Sequence, residues 1–312
     1  MLDRKDQVLL EYLMHNCRLS TVFLSRAMKL SQSTVVYRIK RLERKGYISK
    51  YDALVNWPML PIVPEIFFIT VPVAKKKPFE DYATKNEGVS AVVWLLHQRN
   101  YCAVTFLRAS ERTEFVGYLE KNDCAYEGFA ISREEFMPFS IFDVAVSLPK
   151  KRRIDVEKIE LDEKDIKITK ILADGGGRDS VLQIARKTGI SYDVVLYRFR
   201  KLVKCGFFPL FLAQPSPDIF GLQVDMLIVR TRSTTFRTAY EIFAQTKKSA
   251  YCVTFEEHTF FTQIFTKSLV EYKQTLEKIL EGFGDDILEW RIFNTKGWLF
   301  INRTPFEKLI EQ

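Results

Sequence analysis

The apolar positions of the first 45 residues recur every three or four residues. The pattern is interrupted at Ser20 and Ser31, and it ends at Gly46. Serine is a favoured helix N-cap, and glycine is favoured just past a helix end. The pattern therefore predicts three helices, and the alternation of apolar and polar residues over 47–51 predicts a short strand or wing. Three helices with a tight turn before the third, followed by a strand, make up a winged helix-turn-helix.

The hydrophobic period changes after residue 60, where runs rich in Phe, Ile and Val alternate with helical segments. Their order is strand, helix, strand, strand, helix, strand, which is the ferredoxin-like βαββαβ motif. The predicted segments are 65–73, 79–85, 89–96, 101–107, 111–121 and 126–131.

The second half of the chain repeats this course. Leu2–Asp6 returns as Leu161–Asp165 at an offset of 159 residues. Val36–Leu42 returns as Leu196–Leu202 and Gly46 as Gly206 at an offset of 160, so one residue has been inserted in the run Gly175-Gly176-Gly177. The later strands are predicted at 224–230, 250–255, 260–265 and 287–293, and the helices at 235–245 and 269–280. A repeat of this length is that of a whole domain pair.

The predicted fold class is α+β, with two copies of a winged helix-turn-helix followed by a ferredoxin-like domain. The expected boundaries are 1–60 and 61–148 for the first copy, 149–160 for a basic linker, and 161–220 and 221–312 for the second copy.

Charge is distributed unevenly over these segments. The chain carries a net charge of +8, yet the predicted helix-turn-helix segments carry +6 and +3, whereas the ferredoxin-like segments carry −3 and zero. A polyanionic partner would therefore be attracted to the helix-turn-helix segments. The five cysteines include no C-x-x-C pair, and we expect reduced cysteines that pack in the core of a cytoplasmic protein.

The third predicted helix has the residue types that DNA recognition requires. Short polar side chains at its tip can approach base edges in the major groove, and cations further along can reach the flanking phosphates. We therefore expect Arg38→Ala or Arg41→Ala to weaken binding broadly, and changes at Gln32 or Ser33 to alter sequence preference. The candidate DNA-binding residues of this copy are Gln32, Ser33, Thr34, Tyr37, Arg38, Arg41, Lys45 and Lys50.

This part of the chain resembles the Lrp/AsnC family of archaeal and bacterial transcription regulators. The resemblance is carried by Leu2-Asp3-x-x-Asp6, by Arg18-Leu19-Ser20, by the segment 30–43 and by Gly46-Tyr47-Ile48. It implies a winged helix-turn-helix followed by a βαββαβ effector and dimerisation domain. It also implies that the fused repeat pairs with itself as an intrachain pseudo-dimer, which would read an asymmetric site on double-stranded DNA.

The second copy departs from the family pattern. Asp193 stands where Ser33 stands in the first copy, and the wing is replaced by the apolar run Phe207–Phe211, which we expect to be buried. We keep two interpretations open: this copy contacts DNA through Tyr192, Arg198 and Lys201, or it has become a packing module.

The ferredoxin-like domains lack the Gly-Asp-Tyr-Asp-like turn that the family associates with amino-acid effectors. Other polar residues occupy the corresponding turns, where an unidentified small effector or a plain polar hairpin turn remains possible. The candidate effector residues are His97, Arg99, Asn100, Glu256 and His258.

Three functions compete at this stage. The favoured one is a DNA-binding transcription regulator without catalytic activity, cofactor or metal, with a further homodimer as an option. Siroheme decarboxylases resemble the same family and occur as fused tandem chains, so a tetrapyrrole enzyme is the alternative. The third is an interaction protein that has lost DNA binding. No stretch approaches 18 consecutive apolar residues, so no membrane span is expected.

Overall fold

The computed structural model describes residues 2–60, 62, 64–96, 100–137, 139–142, 144, 146–148 and 160–300. The predicted linker 149–160 lies almost wholly outside these residues. The helices are α1 (Arg4–His15), α2 (Thr21–Met28), α3 (Gln32–Arg44), α4 (Lys76–Lys85), α5 (Ala109–Lys121), α6 (Glu163–Ala173), α7 (Val181–Thr188), α8 (Tyr192–Lys204), α9 (Pro217–Phe220), α10 (Phe236–Gln245) and α11 (Leu269–Phe283).

The strands follow the predicted order with two additions. They are β1 (Ile48–Leu54), β2 (Pro64–Thr70), β3 (Val89–Leu95), β4 (Tyr101–Phe106), β5 (Ala125–Ala130), β6 (Arg133–Phe136), β7 (Leu210–Pro215), β8 (Gln223–Thr231), β9 (Tyr251–Thr254), β10 (Thr259–Thr266) and β11 (Ile287–Phe300). The α+β class, with two winged helix-turn-helix and two ferredoxin-like parts, is confirmed. Strand β6 and the second half of β11 were not predicted.

The chain forms two compact units, and each unit combines the equivalent parts of both halves. The helix-turn-helix unit contains Met1–Met59 and Ser140–Leu222, and the sandwich unit contains Leu60–Phe139 and Gln223–Pro305. The individual domain boundaries given above stay predictions.

In the helix-turn-helix unit, the helices begin where the serine pattern predicted. Ser20 accepts a hydrogen bond from Phe23 N, and Ser31 accepts one from Thr34 N, so both side chains satisfy a helix N-terminus. Strand β1 does not form a free wing, because it pairs antiparallel with β7 of the second copy. The apolar run of the second copy is buried as predicted, with Phe207 and Phe208 at 0% and 2% exposure.

The sandwich unit contains two ferredoxin-like sheets, with strand orders β5-β2-β4-β3 and β11-β8-β10-β9. Helices α4 and α5 cover one face of the first sheet, where Phe67, Phe79 and Phe115 form the core. The opposite faces of the two sheets pack against each other, and Phe68 of β2 stacks on Phe293 of β11 with ring centroids 4.3 Å apart.

Two chain segments cross from one sheet to the other. Residues 287–294 of β11 pair with β8, and residues 295–300 of the same strand pair with β3 of the first half. In the same way β5 pairs with β2, whereas β6 continues the segment and pairs with β9 of the second half. The second half therefore joins the two sheets at the β3 edge through β11. The first half joins them at the opposite edge through β5 and β6.

Candidate nucleic-acid interface

The tip of helix α3 presents a compact group of hydroxyls. The Ser31 hydroxyl lies 2.9 Å from that of Ser33 and 2.8 Å from that of Thr34. Gln32 and Ser33 are exposed, and Thr34 is half-buried. The predicted tip residues therefore lie together at the helix N-terminus, where backbone N–H groups also favour a phosphate.

One face of α3 is exposed along the whole helix. Ser33, Tyr37, Lys40 and Arg44 lie on it, each three or four residues after the last, opposite the buried stripe of Val35, Ile39 and Leu42, and Tyr37 is 59% exposed. Lys40 and Arg44 were missed by the sequence interpretation, although their spacing of seven and eleven residues from Ser33 indicates the same face. The neighbouring Lys45 is exposed as well.

Arg38 and Arg41 do not belong to this exposed face. Arg38 Nη1 lies 2.7 Å from an oxygen of Asp3 and 2.7 Å from one of Asp6. Arg41 also contacts Asp6, whose side chain is 1% exposed. Both guanidinium groups neutralise this buried carboxylate and hold α3 against α1, and their contact with DNA phosphate stays a prediction.

Lys50 is likewise engaged within the fold. Its Nζ lies 3.1 Å from Asp52 on the same strand, and β1 is paired with β7. The geometry thus gives the candidate wing cation a partner inside the helix-turn-helix unit.

The ion pairs that hold α3 against α1 are called the clamp below. Helix α8 of the second copy reproduces this clamp and much of the exposed face. Arg198 Nη1 lies 2.6 Å from Asp162 and 3.0 Å from Asp165. Burial by itself raises the pKa of Asp162, but hydrogen bonds from Asp165 N and from Arg198 outweigh it and leave the pKa below its usual value. Arg198 therefore corresponds to Arg38 in position and in its ion pairs, and its DNA contact likewise stays a prediction.

The remaining polar side chains of α8 face solvent. Tyr192 is 47% exposed and Tyr197 is 69% exposed. The exposed charged residues of this helix are Asp193, Arg200, Lys201 and Lys204.

The two helix-turn-helix copies are joined by reciprocal contacts. Arg18 Nη1 donates to the carbonyls of Gly177 and Asp179 over 2.9 and 3.0 Å, and Arg178 of the second copy donates to the carbonyl of Cys17. The N–H of Cys17 donates to Phe211 O over 2.9 Å, and the N–H of Gly177 donates to Tyr51 O over 2.8 Å. Hydrogen bonds donated by each copy to the other thus stabilise the pairing of β1 with β7.

Gly177 is required at this junction by close approach. A Cβ placed on it would lie 2.7 Å from the carbonyl carbon of Asp52 and 2.9 Å from its backbone nitrogen. Gly177 therefore lets the second copy approach the backbone of β1.

The candidate effector residues are dispersed. His97 and Arg99 lie outside the described residues. The Asn100 amide accepts from Val71 N over 2.9 Å and donates to Val71 O over 2.8 Å, so it holds the start of β4 against the residue that follows β2. His258 has φ +67°, and its Nδ1 lies 2.9 Å from Thr234 O. These contacts favour the plain polar turn that was the alternative at both positions.

Glu256 belongs to a charged cleft within the sandwich unit. The cleft has a volume of about 270 Å³ and is also lined by Trp290, Arg230, Glu289 and Thr259. Arg230 is exposed and has no ion pair among the residues that the structure describes.

At one wall of the cleft, Arg291 donates to both carboxylate oxygens of Glu127 over 2.6 and 3.0 Å. The hydrogen bond to Glu127 raises the pKa of Arg291.

Within the described residues, no group of three His, Cys, Asp or Glu side chains is placed to hold a metal ion.

Comparison with known proteins supports the assignment of the first copy. A model of the winged helix-turn-helix DNA-binding family matches residues 2–49. An HTH-type transcriptional regulator of Pyrococcus abyssi is 27% identical over 126 residues, which is 39% of this chain and 78% of that protein. The leucine-responsive regulatory protein of Escherichia coli is 44% identical over 55 residues, 18% of this chain and 34% of that protein. The N-terminal part of the chain is thus similar to DNA-binding regulators.

Solved structures extend the likeness in fold to the whole chain. The crystal structure of the siroheme decarboxylase NirDL has a TM-score of 0.64 at 14% identity and covers 98% of both chains. Its complex with an iron-uroporphyrin III analogue has a TM-score of 0.63 at 12% identity and covers 98% of this chain and 97% of that chain.

This finding contradicts one prediction. The chain was expected to have no catalytic activity, but NirDL, whose structure matches the fold over 98% of this chain, is a siroheme decarboxylase, so that expectation is contradicted. In the described part of the chain no helix is long and apolar enough to cross a membrane.

Proposed function

We propose that this chain is a DNA-binding transcription regulator whose helix α3 enters the major groove. The observation that carries the proposal is the exposed face of α3, with hydroxyls at its tip and Tyr37, Lys40 and Arg44 behind them. The hydroxyls and Gln32 would meet base edges, and the cations would meet the phosphates that border the groove. The identity of 44% with a leucine-responsive regulator over 55 residues supports the same reading.

The cations proposed to contact phosphate differ from those expected from the sequence. Lys40, Arg44 and Lys45 are exposed on α3, whereas Arg38 and Arg41 neutralise carboxylates of α1. The two paired copies would then offer α3 and α8 to one duplex as an intrachain pseudo-dimer. Because the two helices differ in sequence, the preferred site would be asymmetric.

Salt dependence tests DNA binding most directly. Each phosphate contact contributes a slope of about −0.9 to log K against log salt concentration on duplex DNA. We expect the full chain to bind a random duplex with a slope of several units, and Lys40→Ala/Arg44→Ala to reduce the slope by about two. Lys278→Ala, which removes an exposed cation from α11, is the matched control. A flat salt response, or a double variant with the wild-type slope, would overturn the proposal.

A second candidate is chemistry on a tetrapyrrole. It is favoured by the end-to-end likeness in fold to siroheme decarboxylase and by Arg230 in the charged cleft, which could pair with a carboxylate of the macrocycle. The cleft volume of about 270 Å³ is below the range of roughly 300–1,000 Å³ typical of pockets that enclose a drug-sized ligand. Only an edge of the macrocycle would therefore fit.

This candidate is tested by titrating the full chain with iron-uroporphyrin III and recording the absorbance of the macrocycle. A saturable spectral shift that Arg230→Ala weakens and Lys278→Ala leaves unchanged would support it. A spectrum that remains that of the free macrocycle would exclude this ligand.

A further inference from the structure

The recognition helices α3 and α8 can be compared position by position. Both contain 13 residues, and both follow a serine, Ser31 and Ser191, at an offset of 160. Behind the tip, three solvent-facing positions keep their chemistry. The pairs are Tyr37 and Tyr197, Lys40 and Arg200, and Arg44 and Lys204.

The tips of the two helices differ. In α3, the Ser33 hydroxyl belongs to the group centred on Ser31. In α8, the Ser191 side chain forms no capping hydrogen bond, and Val194 replaces Thr34. Asp193 stands exposed in the first turn of α8, where the helix dipole favours an ionised carboxylate.

We infer that Asp193 reads a cytosine in the second half of the DNA site. This inference rests on the function proposed above. A carboxylate can only accept hydrogen bonds, and in the major groove cytosine presents its N4 amino donor alone. Guanine presents two acceptors, and thymine presents an acceptor and a methyl group. Adenine places its N6 donor beside the N7 acceptor, which repels the second carboxylate oxygen.

The exposed face of α8 argues that this helix still contacts DNA. A module kept for packing alone has no reason to hold an aromatic and two cations at the solvent-facing positions that correspond to those of α3. The carboxylate would then act at the tip, where a recognition helix approaches the bases most closely.

An isosteric substitution separates base reading from simple charge repulsion. An asparagine can donate to N7 and accept from N6 of adenine, so Asp193→Asn should transfer the preference at one position from C·G to A·T. Phosphate repulsion has no such preference. If the carboxylate only repelled phosphate, its removal would strengthen binding to every duplex by a similar factor.

The experiment uses the full chain and begins with selection of bound sites from random duplex DNA. The base pair that Asp193 is proposed to read is then made either C·G or A·T in the selected duplex. Each duplex is titrated at constant salt with wild type, Asp193→Asn and Asp193→Ser. Wild type should prefer C·G by roughly fivefold or more. Asp193→Asn should lose or reverse that preference, and Asp193→Ser should lose it. Glu163→Gln, which removes an exposed carboxylate from α6, is the matched control and should behave as wild type.

The outcomes separate the inference from the function on which it rests. Salt-independent or absent binding of wild type would defeat the proposed function. Binding with the expected salt slope, but with the same base preference in wild type and both Asp193 variants, would defeat the inference alone. Uniformly tighter binding by the variants would show that Asp193 only repels phosphate, and the inference would again be wrong.

Discussion

The two halves of the chain hold their recognition helices with the same type of clamp but with different numbers of cations. In the first half Arg38 and Arg41 both reach Asp6, whereas in the second half Arg198 pairs with Asp165 and the residue corresponding to Arg41 is the exposed Lys201. The cation at one position of the helix is therefore structural in the first copy and exposed to solvent in the second. Helical spacing alone does not separate these roles, because the acidic partners lie on another helix.

The largest effect should come from breaking the clamp that has one cation. Arg198→Ala leaves Asp165 buried at 2% side-chain exposure, and the loss should be about 3 kcal/mol or more in the free energy of unfolding. Arg38→Ala leaves Arg41 on Asp6, so its loss should be roughly half as large. Urea unfolding followed by circular dichroism compares the two variants, with Lys278→Ala as control. Equal losses would show that Arg41 does not compensate for Arg38.

The junction between the helix-turn-helix copies offers the next comparison. Gly177→Ala forces a methyl group onto the backbone of Asp52 and should cost about 2–3 kcal/mol, because a rigid main chain cannot yield as a side chain does. Cys17→Ala, at the corresponding position of the first half, removes only a buried thiol and should cost about 1 kcal/mol. Thermal unfolding would measure both. A Gly177→Ala variant as stable as Cys17→Ala would argue against the close approach.

The sandwich halves present opposite charges at corresponding positions. Glu127 lies opposite Phe68 on β2, Arg291 lies opposite Ile228 on β8, and the two side chains pair with each other. Glu127→Arg or Arg291→Glu should each cost about 1 kcal/mol, since both groups are about one-third exposed and partly screened. The double exchange should recover most of that loss. Urea unfolding of the four proteins tests this cycle, and a double variant with the sum of the single losses would contradict it.

A pH effect is the smallest expected difference and belongs to the second half. The hydroxyl of Thr234, together with Ser233, donates to Asp286 and lowers its pKa to about 2, whereas the corresponding loop of the first half has Val73 and Ala74. A lowered folded-state pKa stabilises the fold above about pH 4, and that contribution disappears as the pH falls through about 2. The stability difference between wild type and Asp286→Asn should therefore shrink between pH 4 and pH 2. Parallel pH profiles in urea unfolding would exclude this contribution.

Local patterns predicted most of the elements, because helix caps and hydrophobic periods depend on neighbouring residues. Ser31 caps α3 and Phe207 is buried, as the sequence indicated. The sequence did not predict β6 or the pairing of β11 with β3, since strand partners more than 100 residues apart leave no local signal. For the same reason the ion-pair partners of Arg38 and Arg41 on α1 were missed.

The strands that join the two sheets also constrain how the chain can fold. Strand β11 lies at residues 287–300, yet it supplies the neighbour of β3, whose paired residues lie at least 200 positions earlier. During synthesis, the edge of β3 stays unpaired until most of the chain has been made. Contacts of such long sequence separation also slow folding. The first half should therefore emerge from the ribosome as an unfinished sheet with an edge open to aggregation. The native topology is reached late, when the final strand closes both sheets at once.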